Sequence, residues 1–299
     1  MIDPLVSVIV ASYNNGPFLE DMIHSVLAQT YANWELVITD DASSDDSLAI
    51  VSRYTDDSRI RLCRHAENMG AGAAFKTSMD NSTGEIIAML GADDALKPEA
   101  LEIIVDEHRK YPDAAMVVGG LVETDEQLSI TGQRVYQGPF GDNTTILEQG
   151  WAFGWDTFKR RFYDLTQGFE RGQKRAVDQD LYFKMEAVGP VVFVEHFLYL
   201  YRQNSNGISQ GSNRTTALWY HVLAMEKALE RLQQPGKRAL ASVKRMRHKY
   251  HLMEAVANFY DQDFIKMRKN VVQSLLLCPQ DRFFLKINLL LHPLKFWKK

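Results

Sequence analysis

Val6-Ser7-Val8-Ile9-Val10-Ala11-Ser12-Tyr13-Asn14-Asn15-Gly16-Pro17 begins as a β-branched run and breaks off in small polar residues, glycine and proline. A run of that length and branching reads as a buried strand, and the residues after it as a loop. Phe18, Met22 and Val26, flanked by Leu19, Ile23 and Leu27, then recur at helical spacing as far as Thr30. The alternation repeats downstream. Residues 34–38 are a second strand stopping at Thr39-Asp40-Asp41, and Ser44 or Asp45 is placed to cap a helix through Tyr54. Residues 60–63 are a third strand, 70–79 a helix of small residues, and 85–90 a fourth strand ending at Gly91-Ala92-Asp93-Asp94. Pro98 suits the first turn of a helix reaching about Lys110, and 115–122 is a further strand. Strands and helices alternating with crossovers of this length predict an α/β fold, a parallel, doubly wound sheet flanked by helices. Ligands of such sheets bind beyond the carboxyl ends of the strands. Ser12-Tyr13-Asn14, Asp40-Asp41 and Asp93-Asp94 end three separate strands, so polar groups converge on one edge.

Residues 124–176 are less regular, with Gly132, Gly138-Pro139, Gly141 and the aromatics Trp151, Phe153 and Trp155. They read as an acceptor-side insertion or as loops. Asp178-Gln179-Asp180-Leu181 opens a helix, and 191–201 returns as a strand. From about Leu218 the pattern is helical, with breaks at Pro235-Gly236, Asp261 and Pro279. The expected division is a catalytic domain at 1–213, with halves at about 1–123 and 124–213, and a basic helical region at 214–299.

The 299 residues, 45% hydrophobic with 34 basic and 38 acidic side chains, have globular composition and exclude a collagen, a disulfide-rich miniprotein or a disordered tail. Cys63 and Cys278 cannot form a disulfide framework, which favours a reducing compartment. Met1-Ile2-Asp3-Pro4 lacks the basic flank of a signal peptide, and no stretch approaches the ~20 apolar residues that span a bilayer. A cytoplasmic protein is expected. Its charge is uneven: residues 1–213 carry 17 Lys/Arg against 32 Asp/Glu, and residues 214–299 carry 17 against 6. An acidic front suits the handling of a cation, and a basic rear suits an anionic surface; alternatively, the two halves pair with each other.

Adjacent carboxylates such as Asp93-Asp94 repel unless something cationic neutralises them. Mg²⁺ or Mn²⁺ would do so while leaving sites for phosphate oxygens, and a solvated turn is the alternative. Asp40 and Asp41 could accept from a nucleobase or ribose, whereas Asp45 reads better as a helix cap. Asp178 and Asp180 sit where acids favour a helix start, although capping explains one of them better than both.

Taken in order, these segments resemble glycosyltransferase family 2, on the GT-A fold. The resemblance rests on residues 6–14, Ile23-His24-Ser25-Val26-Leu27-Ala28-Gln29-Thr30-Tyr31 and residues 34–45. It continues through Asn68-Met69-Gly70, Gly84-Glu85-Ile86-Ile87, Asp93-Asp94 with Pro98, Gly168-Phe169, Asp178-Gln179-Asp180-Leu181 and Tyr201-Arg202, covering roughly 4–210. It implies a GT-A, Rossmann-like, mostly parallel sheet with a C-terminal helical extension. It implies an inverting transferase that moves a sugar from a nucleotide-diphospho-sugar, by default a UDP-sugar, to a hydroxyl of a glycan or lipid-linked acceptor. Ser12, Tyr13, Asn14, Asp40 and Asp41 then belong to the nucleotide site, Asp93 lies near the donor ribose and sugar, Asp94 holds Mn²⁺ or Mg²⁺, and Asp178 is the general base. Lys76, Trp151, Trp155 and Arg202 are candidate phosphate or acceptor contacts, with packing as the alternative for the aromatics and Lys76.

The family often has Asp where Gly91 stands, Arg-Asn where Phe75-Lys76 stands, and His where Asn204 stands. Those departures keep open a nucleotide-sugar-binding module without transfer; retention of Asp178 argues against it. A nucleotidyltransferase would open with a basic, glycine-rich loop that 11–16 does not resemble.

Lys237, Arg238, Lys244, Arg245, Arg247 and Lys249 crowd one acid-free stretch, and 282–299 mixes leucines, aromatics and cations. The region 237–299 suits peripheral attachment to the inner face of the plasma membrane. Packing against the acidic front, or a homodimer, is the alternative, and no nucleic-acid motif accompanies the charge.

Overall fold

The structure, a computed structural model, describes residues 3–135, 144–204, 214–282 and 286. Strand β1 (Val6–Ser12) lies between β2 (Trp34–Asp40) and β4 (Ile86–Gly91), with β3 (Ile60–Arg64) outside β2, all parallel. The crossovers carry α1 (Gly16–Leu27), α2 (Ser47–Ser52) and α3 (Ala71–Asp80). After β4 come β5 (Ala95–Leu96), α4 (Ala100–Lys110), β6 (Met116–Thr124) and β7 (Ile130–Val135). The chain continues through α5 (Ile146–Gln149), β8 (Trp155–Lys159), α6 (Arg160–Tyr163), α7 (Val177–Glu186) and β9 (Val191–Arg202). The sheet order is β3-β2-β1-β4-β8-β6-β9-β5, with β7 paired to β6.

The parallel, doubly wound arrangement holds for β1 to β4. Beyond it, β8 runs antiparallel to both β4 and β6, while β6 and β9 are parallel. β8 lies inside the stretch that the sequence reads as irregular. Its middle residues Asp156 and Thr157 are as buried as Trp155 and Phe158, so no alternation of apolar and polar residues marks the strand.

Alternate side chains of the sheet feed two apolar layers. Val6, Val8, Val10, Leu36 and Trp155 pack with Leu19 and Met22 of α1 and Leu101 of α4. Ile9, Ile87, Met116 and Phe158 pack on the other face with Met79 of α3, Leu181 of α7 and Met225 of the next helix. That helix, α8 (Arg214–Arg231), is followed by α9 (Lys237–Tyr260) and α10 (Phe264–Leu277), the breaks falling where proline, glycine and aspartate predict them.

The basic rear packs onto the acidic front through α7 and α8. Lys227 pairs with Glu170, and Arg245 Nη2 donates to the Glu148 carbonyl at 3.3 Å. Lys237, Arg238 and Lys244 of α9 stay exposed. Among the described residues no helix is long and apolar enough to cross a membrane. Most of 282–299 lies outside the described residues.

Candidate active site

The site starts where β1 and β2 end. Ser12 and Asp40 are register partners, both buried, and neither Ser12 Oγ nor Asp40 Oδ1 has a hydrogen-bond partner among the described residues. Buried polar atoms are seldom left unpaired, and two on adjacent strand ends suit a ligand that supplies the missing partners. Tyr13 beside them is 47% exposed. Asn14 adopts a left-handed conformation (φ 53°); its N–H donates to Ser43 Oγ at 2.9 Å and its Oδ1 accepts from Ser44 N at 2.8 Å. It therefore joins the β1 and β2 loops. Asp45 accepts from Gly16 N and Ser47 N at 2.9 and 3.0 Å, pinning the starts of α1 and α2 as its cap reading anticipates.

Asp41 faces the third loop. It accepts from Met69 N at 2.9 Å, from Gly70 N at 2.7 Å, and meets His65 Nδ1 at 2.6 Å. Its carboxylate shapes the Asn68-Met69-Gly70 turn, where Gly70 stands at φ +89°.

The two acids after β4 differ sharply. Asp94 is buried, with Tyr199 Oη donating to one oxygen and Arg202 N to the other at 2.8 Å. Burial, reinforced by the Asp93 charge, raises its pKa to about 8. Both oxygens of the carboxyl expected to hold the ion are thus engaged by protein donors. Asp93 is half-buried, and its Oδ2 accepts from Asn204 Nδ2 at 3.1 Å. Its Oδ1 has no partner among the described residues, so Asp93 is the acid free to hold a cation. Among those residues no three His, Cys, Asp or Glu side chains converge on a metal position, so an ion here would also need donor phosphate oxygens. The glycine before the pair follows from the same packing: a Cβ on Gly91 would lie 2.3 Å from Asp94 Oδ2.

Arg202, expected at a phosphate or acceptor, is instead buried as a brace. Its guanidinium donates to the carbonyls of Asp93 and Glu126 and pairs with Asp21 at 2.9 Å, over the ring of Phe18. Lys76 pairs with Asp80 at 3.0 Å along α3, the surface alternative of its reading. Trp155 is buried and donates its indole N–H to the Met89 carbonyl at 3.0 Å, so it serves as cavity wall and core. Trp151 does face the site, 47% exposed on its rim.

A cavity of about 550 Å³ joins Asp93 and Asp94 to Asp178. Asp178 stands in the first turn of α7, half-buried, accepting from Gln179 Nε2 at 2.9 Å. The Gln179 side chain also grips both backbone groups of Ala152, so the α5–β8 loop and α7 are one rigid wall. Asp156 behind it accepts from Tyr182 Oη; burial, and then the Asp178 charge, hold its pKa well above the carboxylate range. Asp180 pairs with Lys184, 2.5 Å away and equally buried.

His221 of α8, Tyr199 of β9 and Lys249 of α9 are among the cavity residues that the sequence reading does not place at a site. His221 hydrogen-bonds the Gly150 backbone while its buried Nε2 lacks a partner among the described residues, and burial lowers its pKa. The one sequence signal for Lys249 is the charge of the rear.

Comparison with known proteins agrees with this layout. Residues 7–183 match the family model described as glycosyl transferase family 2. Chondroitin synthase of Escherichia coli is 31% identical over 197 residues, 66% of this chain but 28% of the synthase. S. aureus TarS 1-349 in complex with UDP-GlcNAc superposes with a TM-score of 0.68 at 15% identity, over 91% of this chain and 81% of that one. The mannosyltransferase PcManGT from Pyrobaculum calidifontis, in complex with GDP-Man and Mn²⁺, gives 0.57 at 16% identity, over 94% and 89%. At such identities the structural likeness carries the fold, which is of the GT-A type.

Proposed function

We propose, from the premise that the chain belongs to glycosyl transferase family 2, that it transfers a sugar from a UDP-sugar to an acceptor hydroxyl with inversion. One observation carries this reading: Asp93 and Asp178, from opposite halves of the sheet, line a single cavity. Ser12 and Asp40 offer the nucleoside two buried, unsatisfied polar atoms. Asp93, whose Oδ1 has no partner among the described residues, would hold Mn²⁺ or Mg²⁺, with Asp94 behind it. A divalent ion bound there supplies Lewis-acid stabilisation of the departing diphosphate. Asp178 takes the proton of the attacking hydroxyl, a role contributing roughly 10²–10⁴-fold in rate. Gln179 orients that carboxylate while itself fixed by Ala152.

The test is release of UDP, GDP or dTDP from a panel of nucleotide sugars with Mn²⁺, with and without glycan acceptors. Asp178→Asn should bind donor normally and lose transfer by the general-base factor. Undiminished turnover in that variant moves the base elsewhere. Donor binding without release under any acceptor favours a binding module.

A further inference from the structure

The cations of α8 and α9 fall into distinct groups. Three have acidic partners, Lys227 with Glu170, Arg247 with Glu226, and Arg231 4.0 Å from Asp180, while Lys237, Arg238 and Lys244 are exposed and do not line the cavity. Arg214 and Lys249 line the cavity and have no ion-pair partner among the described residues. Arg175, just before α7, lines it as well. We propose that the Asp178 end of the cavity takes an acceptor bearing a negative charge, gripped by Arg214 and Lys249 beside the indole of Trp151. This deepens the transferase reading and rests on it for the word acceptor.

The position of Lys249 separates it from the donor. Lys249 and Asp178 both act electrostatically on His221, so Lys249 stands at the base end of the cavity. Asp93 and Asp94, where a diphosphate belongs, stand at the end of β4. Between them, Asp94 and Asp156 are engaged by the hydroxyls of Tyr199 and Tyr182. Arg214 and Lys249 are exposed themselves, but they line a concave surface, and a single sign of charge in a cleft raises the local concentration of anions. The half-exposed indole of Trp151 offers an apolar platform for a sugar ring, which an anion site alone does not need. A neutral sugar would use the indole and leave both cations idle. The shared chemistry is therefore a ring with an anionic substituent, either a uronic carboxylate or a phosphate.

The experiment titrates methyl β-glucuronide, methyl β-glucoside 6-phosphate and methyl β-glucoside into the full chain by ligand-detected NMR, with and without UDP and Mn²⁺. At least one anionic probe should bind about tenfold more tightly than the neutral glucoside, the effect of one charge-assisted contact. Arg214→Ala combined with Lys249→Ala should erase that preference while UDP affinity and melting temperature stay unchanged. Preference for the glucuronide points to a uronic acid, and preference for the phosphate to a phosphorylated acceptor. Equal binding of the three probes, or binding of none, overturns the proposal. So does a double variant that loses UDP affinity, because the cations would then serve the donor. If the wild-type chain ignores UDP yet keeps the anion preference, the transferase reading falls and the anion site stands.

Discussion

Carboxylates are held in two places, and each place neutralises them differently. At the ends of β1 and β2, Asp41 and Asp45 are held by backbone N–H groups of Met69, Gly70, Gly16 and Ser47. At the seam of α7 with α8, Asp180 and Glu170 are met by side-chain cations, Lys184 and Lys227, with Lys184 also donating to the Gly168 carbonyl at 2.7 Å. The first arrangement fixes the shape of three loops. The second fixes how one element sits on another. Loss of the first should therefore be felt by a nucleotide, and loss of the second by the fold alone.

The seam offers the largest effect. Lys184→Ala leaves Asp180 buried without its cation, a loss of about 3–5 kcal/mol in urea unfolding. Adding Asp180→Leu to Lys184→Met should recover most of it, since apolar pairs often replace buried ion pairs without loss. UDP affinity should not change in the double variant; a change would mean the seam reaches into the site. Asp41→Ala comes next. It strands the N–H groups of Met69 and Gly70, at about 1–3 kcal/mol for each group left unpaired. It should also weaken UDP binding, measured by titration at a temperature where the variant is folded. Intact UDP affinity would break the contrast between the regions.

The smallest effect comes from a buried group that has neither kind of neutralisation. His108 of α4 meets Thr157 Oγ1 at 3.0 Å, and its Nδ1 lacks a partner among the described residues. Burial, with the Lys159 charge adding, lowers its pKa from 6.5 to about 3. The unfolded chain therefore takes up a proton that the folded chain refuses. Stability should be full above pH 6.5 and fall as the pH drops toward 3, by about 2 kcal/mol between pH 7.5 and 5. His108→Gln should flatten that slope in a melting series; an unchanged slope assigns the acid sensitivity elsewhere.

The two regions also differ in how far they can be read from sequence. Polar residues directly after β-branched runs mark the ends of β1, β2 and β4, because strand ends and ligand sites coincide in such sheets. The breaks between α8, α9 and α10 are legible for a similarly local reason, the proline, glycine and aspartate at them. What fails is what depends on distant partners. Nothing near Asp93-Asp94 says which acid is covered, because Tyr199 and the Arg202 backbone arrive from the far end of β9. Nothing local marks Arg202 as a brace either, since Asp21 lies 181 positions away. β8 is hidden by Asp156 and Thr157, polar residues whose burial depends on Tyr182 and His108.

The place of β8 also sets an order of events during synthesis. The β4 edge of the parallel half is covered by a strand that leaves the ribosome only about 60 residues later, roughly 3–13 s at ordinary elongation rates. Through that interval the nascent sheet presents an unpaired, apolar edge strand, the template on which neighbouring chains add. A fragment ending near residue 123 would keep that edge permanently and lose Trp155 from its main core. The nucleotide-facing half is thus not a separable module, and expression of it alone should yield aggregates rather than a UDP-binding domain.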